Sequence, residues 1–364
     1  MNRLKRHTGY VALTLSLSVL LAACGTAKTP DPAPQTATPA TTPAPAPAQP
    51  KAVKKIKLAN AVTPPNMIHM PMYIALDQGF FKEEGLEAEI ISLEGGVGTA
   101  RALTAKAVDV ASTSADPLIA AAAAGGDIVA VYTYAPRVTN AMVGGPKVKT
   151  PADLKGKIIG IQEKNGFADV VSRLVLSKAG VKESEVTFLS TSTAGRLPAL
   201  LAGQTDTSIL HIEQVYKAMQ DNPNLNFVSR LWEADPLWWY SAYAMNKETI
   251  KNDPDLAERF VRAIVKSTRW MYKPENKAKV VESYLKYNKG FTKDLADKTY
   301  DDIVKAKQWP MNEGVSREIV EHTVKTQIEL GIVKTDKPPT YEQLYDRTFI
   351  DKVLKELGRD GDSL

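Results

Sequence analysis

The sequence predicts an α/β protein built from two similar lobes. Strand-like apolar runs alternate with helical patterns from residue 53 onward, which favours mostly parallel sheets. The same order of elements starts again near residue 157. Residues 102–110 (ALTAKAVDV) align with residues 199–207 (ALLAGQTDT) at an offset of 97 positions, and this echo supports a duplicated α/β unit.

Each half of the predicted body contains four strands. In the first half they are 56–62, 87–93, 108–112 and 127–134, separated by helices at 70–85, 97–107 and 115–126. In the second half they are 157–162, 185–190, 205–210 and 226–231, separated by helices at 166–180, 195–203 and 211–220. After residue 243 the apolar residues recur with helical spacing, which predicts helices at 255–272, 276–288, 293–308 and 317–331.

Composition excludes several kinds of protein. The 364 residues are 44% hydrophobic and 24% charged, which is enough for a core in about two domains. A net charge of +5, scattered along the chain, does not indicate a nucleic-acid binder. The single cysteine rules out an intramolecular disulfide, and the four histidines show no HxxxH or HExxH spacing. We therefore expect no metal and no cofactor.

The first 52 residues have the pattern of a targeting signal and a tether. Residues 2–7 are basic, residues 10–22 are apolar or small, and 21–24 (LAAC) resemble the lipobox of bacterial lipoproteins. The resemblance implies a signal peptide at 1–24 and a lipidated Cys24 that anchors the chain to a membrane. Residues 25–52 hold eight prolines and no large apolar side chain, so we expect a disordered linker there.

Four stretches together resemble the solute-binding proteins of NitT/TauT-type ABC importers. They are 71–87 (PMYIALDQGFFKEEGLE), 95–121, 150–162 (TPADLKGKIIGIQ) and 197–210 (LPALLAGQTDTSIL), and the likeness spans roughly 54–275. It implies a type II periplasmic-binding-protein fold, a Venus flytrap whose two lobes are joined by two crossover strands. Lobe 1 would hold 53–141 plus 242–364, and lobe 2 would hold 142–241.

Polar and glycine residues follow the predicted strands of both lobes, where helix N-termini favour an anion or a carbonyl group. The candidates in these turns are Gly96, Thr99, Ser112, Ser114, Asn165, Phe167, Thr191 and Thr193. Ordinary helix capping by Ser and Thr is the better explanation of any single turn. Their convergence from two lobes is what favours a ligand site.

A second group of candidates could determine what is bound. Asn66 and His69 lie in a stretch that resembles a motif of pyrimidine-precursor binders, and the repeat offset matches His211 and Glu213 to Ser114 and Asp116. Arg196 begins a helix and could pair with an anion. Trp238 and Trp239, with Trp232 nearby, could stack on a planar ligand. Capping, surface and core-packing roles remain open for all of them.

The resemblance implies an extracytoplasmic, lipid-anchored receptor, monomeric, that passes a small molecule to an ABC permease and its ATPase. We expect a small organic anion or heteroaromatic ligand of the nitrate, sulfonate or taurine class. A pyrimidine-precursor or riboflavin-type vitamin binder is the alternative, and a membrane sensor is another. No nucleophile–base constellation stands out, so we do not expect an enzyme on this scaffold.

Overall fold

The computed structural model describes residues 52–361. The predicted signal peptide, Cys24 and the linker up to residue 51 lie outside this range. Within it, ten strands are found: β1 (Lys54–Asn60), β2 (Leu86–Ser92), β3 (Val110–Ser114), β4 (Ile128–Ala135), β5 (Ala141–Gly144), β6 (Ile158–Ile161), β7 (Thr187–Ser190), β8 (Thr207–Leu210), β9 (Asn226–Arg230) and β10 (Ser241–Asn246).

The strands form two five-stranded sheets of matching topology. The first has the order β2-β1-β3-β10-β4 and the second the order β7-β6-β8-β5-β9. Four strands of each sheet run in the same direction, whereas β10 and β5 run antiparallel to both of their neighbours. The offset of 97 residues places the first residue of β3 on the first residue of β8, so the sequence echo corresponds to equivalent strands. We call each sheet with its packed helices a lobe.

Fifteen α-helices accompany the sheets in the described range. They are α1 (Met70–Asp77), α2 (Phe80–Glu83), α3 (Gly96–Thr104), α4 (Ala115–Ala123), α5 (Phe167–Lys178), α6 (Arg196–Leu201), α7 (Ile212–Asp221), α8 (Leu231–Ala234), α9 (Lys247–Asn252), α10 (Pro254–Tyr272), α11 (Lys277–Tyr287), α12 (Lys293–Lys305), α13 (Arg317–Glu329), α14 (Tyr341–Leu344) and α15 (Thr348–Leu357). Short 3-10 turns lie at Met67–His69, Pro151–Leu154, Glu183–Glu185 and Pro274–Asn276.

The chain passes between the sheets twice. The first crossing joins β4 to β5, and the second runs from β9 through α8 to β10. The strand that follows each crossing, β5 or β10, is therefore the antiparallel strand of the sheet that the chain enters. The resemblance implied crossover strands near 140–145 and 240–246, which is where β5 and β10 lie. It gave no sheet pairing for either, because their pairing partners are distant in sequence.

One predicted helix is divided. The pattern over 70–85 predicted a single helix, but the structure has α1 and α2 on either side of Gly79. Gly79 has a φ of +83°, which a side chain would disfavour and which interrupts the helical hydrogen bonding. The break turns Phe81 toward α10, where its ring stacks on Phe260 at 5.9 Å.

The C-terminal helices cover the first lobe. Helix α10 packs on α1, α2 and α15, and α14 packs on β4. All eight residues of β4 are buried although it is an edge strand, because this C-terminal segment lies against it and a bridge joins Ala130 to Tyr345. Helix α12 also contacts α7 of the second lobe. Across residues 52–361, none of the helices is long and apolar enough to span a membrane.

Candidate functional site

A narrow cavity lies between the two lobes, with an empty volume of about 370 Å³ when space open to solvent is counted. The enclosed part of that space is only about 20 Å³, which is room for about one water molecule, so a larger ligand requires the lobes to move apart. The start of a helix from one lobe or the other supplies half of its lining residues: His69, Gly96, Ser114, Phe167, Arg196 and His211. The structure therefore brings together six of the residues that the sequence singled out.

The local sequence explains why these residues reach the cavity. Ser114 and His211 are the residues just before α4 and α7; Ser114 ends the buried strand β3, and His211 follows the buried strand β8. Gly96 begins α3 close to Ser114, since a Cβ at Gly96 would lie 2.9 Å from the Ser114 hydroxyl oxygen. A side chain at position 96 would therefore collide with the wall of the cavity.

Arg196 is the strongest electrostatic feature of the cavity. The residue is 2% exposed, and its Nε has no hydrogen-bond partner. Its guanidinium forms no ion pair with a carboxylate in the described range. Burial lowers the pKa of Arg196 to about 10, although Tyr240 and Glu94 offset part of that effect. The guanidinium is therefore still positively charged at neutral pH.

The two cleft histidines are neutral at the same pH. Burial lowers the pKa of His69 to about 3. Burial, together with His69 and the positive charge of Arg196, lowers the pKa of His211 well below its ordinary value. The ring centroids lie 5.6 Å apart, and Nδ1 of each imidazole has no partner. Each ring can thus offer one donor and one acceptor beside the cationic Arg196.

Aromatic rings form the remaining wall. The His69 ring lies 5.6 Å from the ring of Tyr134 and 6.5 Å from that of Tyr240. Phe167 packs against Tyr240 with their ring centroids 4.5 Å apart. Burial raises the pKa of Tyr134 to about 12 and that of Tyr240 well above its ordinary value, so both phenols stay neutral. A flat ligand would contact ring faces and edges here.

Carboxylates of each lobe bind backbone N–H groups of the other lobe. Glu163 accepts a hydrogen bond from the Val97 N–H in the first turn of α3, at 2.8 Å. Glu213 accepts one from the Met67 N–H, also at 2.8 Å. Each carboxylate thus lies against the N-terminal end of a helical segment of the other lobe, where a negative charge is favoured. Burial raises the pKa of each of them.

Glu94 makes the third contact of this kind. Its Oε1 accepts hydrogen bonds from the Thr193 N–H at 2.6 Å, from the Thr193 hydroxyl at 2.9 Å and from Gln162 Nε2 at 2.6 Å. Gln162 also donates to the Ala61 carbonyl at 3.2 Å. The candidates Thr193 and Glu213 therefore form contacts between the lobes. The N–H groups of Val97 and Thr193, in turns that sequence analysis offered to an anion, are used by side chains of the protein itself.

Other sequence candidates lie behind the cavity or at its edge. The Thr99 hydroxyl donates to the Gly96 carbonyl at 3.0 Å, and Ser112 is 2.8 Å from the Tyr134 hydroxyl. Both therefore position residues that line the cavity. Asn66 and Thr193 line a neighbouring pocket between the lobes.

Two further candidates belong to turns. Asn165 is exposed, has a φ of +61° and donates its N–H to Asp169 at 2.7 Å. Thr191 is half-buried, and its N–H donates to the Ile161 carbonyl at 2.9 Å. Neither residue lines the cavity. Their bonds shape the loops that precede α5 and α6.

Trp238 and Trp239 lie in the core and do not line the cavity. They are 1% and 0% exposed and belong to two different hydrophobic clusters. Trp239 Nε1 donates to the Thr133 hydroxyl at 3.2 Å, which fixes the indole against β4. The adjacent Tyr240 is the ring that reaches the cleft.

Six lining residues were not among the sequence candidates: Ala61, Val62, Tyr134, Gln162, Tyr240 and Ser241. Three of them, Tyr134, Gln162 and Tyr240, had a detectable signal. Tyr134 and Gln162 end predicted strands, where ligand contacts concentrate in α/β folds. Tyr240 begins the predicted second crossing. Across residues 52–361, no group of three or more His, Cys, Asp or Glu side chains is placed to hold a metal ion.

Two curated proteins are similar to this chain. YtlA of Bacillus subtilis strain 168, whose name describes a binding protein, is 23% identical over 228 residues, which is 61% of this chain and 68% of YtlA. A Haemophilus influenzae protein named for thiamine biosynthesis is 30% identical over 146 residues. That alignment covers 40% of this chain and 46% of the relative.

The fold is that of periplasmic binding proteins, as the resemblance implied. The alkanesulfonate-binding protein SsuA of Xanthomonas axonopodis pv. citri, solved with MOPS bound, superposes with a TM-score of 0.63 at 16% identity. The superposition covers 83% of this chain and 98% of SsuA. The protein family described as "NMT1/THI5 like" matches residues 66–278. Because that match covers more than half of the sequence, the chain belongs to the NMT1/THI5-like family.

Proposed function

We propose that this protein is the extracytoplasmic solute-binding protein of an ABC importer and captures a small organic anion or heteroaromatic between its lobes. The observation that carries the proposal is the buried, positively charged Arg196 in a cavity that both lobes line. Hinge movement at the two crossings would open and close the cavity. A permease and its ATPase would then take up the released ligand.

The charge of Arg196 argues for an anionic group on the ligand. A buried cation is costly unless an opposite charge compensates it. No ion pair of Arg196 exists in the described range, and the neighbouring imidazoles are neutral. A carboxylate or sulfonate can accept the guanidinium hydrogen bonds in a bidentate manner. The relative solved with MOPS, a ring compound with a sulfonate, shows such a ligand on this fold.

A pyrimidine precursor is the second candidate ligand. The three phenyl and phenol rings around the cavity suit a planar heteroaromatic, and the two neutral imidazoles can pair with ring nitrogens and amino groups. The Haemophilus influenzae relative is named for thiamine biosynthesis. Under this alternative, Arg196 would face a phosphate or a hydroxyl group of the ligand.

Ligand identification tests the proposal directly. Mass spectrometry of the molecule that co-purifies with the full chain is the first experiment. The second is calorimetric titration with nitrate, taurine, an alkanesulfonate and a hydroxymethylpyrimidine. We expect one of them to bind, and Arg196→Gln to weaken that binding at least about tenfold because a charge-assisted hydrogen bond is lost.

The matched control is Arg101→Gln, since Arg101 is exposed and lies outside the cavity. This variant should bind as the original chain does. Equal binding by the Arg196 and Arg101 variants would contradict an anion site at Arg196. Turnover of the bound compound into a new product would instead support an enzyme on this scaffold.

We also propose that Cys24 carries the lipid anchor. The support is the sequence pattern alone, a basic segment, an apolar segment and LAAC at 21–24. Fractionation of cells that express the full chain should place it in the membrane pellet. Cys24→Ala should abolish incorporation of labelled fatty acid, whereas a substitution in the linker, Thr36→Ala, should not. Unchanged labelling of the Cys24 variant would refute the anchor.

A further inference from the structure

A second cavity, larger than the cleft, lies where the two crossings meet α7 and α12. Its empty volume is about 920 Å³ when space open to solvent is counted. Arg137 and Thr139 line it from the first crossing, and Trp232 and Pro236 line it from the second. No residue lines both this cavity and the cleft. We call it the hinge cavity, and it is a site separate from the proposed solute site.

The walls of the hinge cavity are apolar and aromatic. Trp232 and Ile212 are only partly buried, although both pack against the hydrophobic core. Tyr216 of α7 and Ile303 of α12 complete the walls from the two lobes. Half-exposed aromatic and aliphatic groups that share one concave surface are typical of a site for an apolar, ring-containing ligand.

The hinge cavity also has one uncompensated positive charge. The Arg137 guanidinium is half-buried and has neither an ion pair nor a side-chain hydrogen bond within the described range. Asp302, the acidic residue of the lining, is already compensated, since Lys298 donates to it at 2.9 Å and the Tyr216 hydroxyl also donates to it. The charge that remains available to a ligand is therefore positive.

One polar atom of the lining lacks a partner. Gln308 Oε1 is buried and accepts no hydrogen bond. A buried acceptor without a donor costs free energy that a donor group on a ligand would recover. Arg137 and Gln308 could thus bind two different groups of one molecule. Arg137 would pair with an anionic group, and Gln308 would accept a hydrogen bond from an N–H or O–H donor.

We propose that the hinge cavity binds a small aromatic carboxylate that carries a hydrogen-bond donor. Its ring lies against Trp232, its carboxylate pairs with Arg137, and its donor reaches Gln308. Because both lobes and both crossings line the cavity, the bound molecule holds the lobes in the arrangement described here. This site is additional to the proposed solute site and does not depend on the identity of that solute.

Calorimetric titration of the full chain with indole-3-acetate tests the proposal. We expect saturable binding, and we expect the neutral indole-3-acetamide to bind at least about tenfold more weakly because it lacks the charge for Arg137. Arg137→Gln, a substitution of a half-buried residue, should reduce the affinity for indole-3-acetate by a similar factor and remove the preference for the acid. Trp232→Ala should weaken the binding of both compounds to the same extent.

Arg196→Gln is the control that separates the two sites. It should leave indole-3-acetate binding unchanged, because Arg196 does not line the hinge cavity. Two results would overturn the proposal. One is the absence of binding to the original chain, and the other is binding that Arg196→Gln abolishes and Arg137→Gln preserves, which would place the compound in the cleft.

Discussion

Replacement of Arg196 by methionine should stabilise the fold while it removes the anion site. The residue is 2% exposed and its guanidinium has no ion pair within the described range. Methionine fills much of the space of the arginine stem and adds no charge. The substitution therefore removes a buried charge and preserves most of the packing around it.

The expected magnitude follows from the pKa of Arg196. Burial lowers it from 12.5 to about 10. At about 1.4 kcal/mol per pH unit, that difference means that burial disfavours the charged form by about 3 kcal/mol. Since the pKa in the folded chain lies below that in the unfolded chain, the penalty is present in full at pH 7 and is relieved only above about pH 10. Some packing is lost with the substitution, so we expect a net gain of about 1–3 kcal/mol.

Arg262 provides the matched comparison. It is also buried, at 8% exposure, but it pairs with Glu84 at 3.2 Å and with Glu356 at 2.6 Å. Its replacement by methionine takes one partner from the buried Glu84, which keeps Lys266 at 2.7 Å, so we expect a loss of about 1–3 kcal/mol. Substitution of arginine by methionine should therefore raise the free energy of unfolding at position 196 and lower it at position 262.

Urea unfolding at pH 7, followed by tryptophan fluorescence, measures both free energies. The reasoning is refuted if Arg196→Met loses more than about 1 kcal/mol, a change larger than the usual effect of a neutral substitution. Such a loss would mean that the guanidinium is satisfied within the protein. Arg196 would then have no unmet charge to offer a ligand, and the argument for an anionic solute would lose its main support.

Two further predictions concern the cleft. Burial lowers the pKa of His69 to about 3 and that of His211 well below 6.5, so the unfolded chain takes up protons between those values when the folded chain does not. Between pH 7 and pH 5, His69 should therefore lower the free energy of unfolding by about 2 kcal/mol. Urea titrations of His69→Gln should show a pH dependence that is smaller by that amount. An unchanged pH dependence of the unfolding free energy would contradict this. Glu163→Gln should weaken the contact to the Val97 N–H between the lobes and increase the radius of gyration in X-ray scattering, whereas Glu89→Gln on the exposed face of β2 should not. Equal radii for the two variants would show that Glu163 does not hold the lobes together.

The order of the elements could be predicted because it depends on local patterns. Fully buried strands are short apolar runs, and β4 stands out for that reason. The repeat offset of 97 residues was also informative, since it placed His211 in the position of Ser114, and both residues line the cavity. Such matches follow from a backbone that places equivalent residues of the two lobes on opposite sides of one cleft.

The pairing of distant segments could not be predicted in the same way. β5 and β10 have four and six residues, and each pairs with strands of the sheet that it enters. The choice among Trp238, Trp239 and Tyr240 was equally inaccessible, because consecutive side chains of an extended segment point in different directions. All three are buried, but only Tyr240 faces the cleft. The aromatic cluster located the crossing without showing which ring meets a ligand.

The structure also narrows where an anion could bind. From the sequence, both the helix N-termini of several turns and Arg196 are candidates for that role. The N–H groups of Met67, Val97 and Thr193 instead bind Glu213, Glu163 and Glu94 of the opposite lobe. These carboxylates satisfy the partial positive charge that a ligand would otherwise use. The positive charge left in the cleft is that of Arg196, so we infer that the choice between an anionic and a neutral solute depends on this side chain more than on the turns around it.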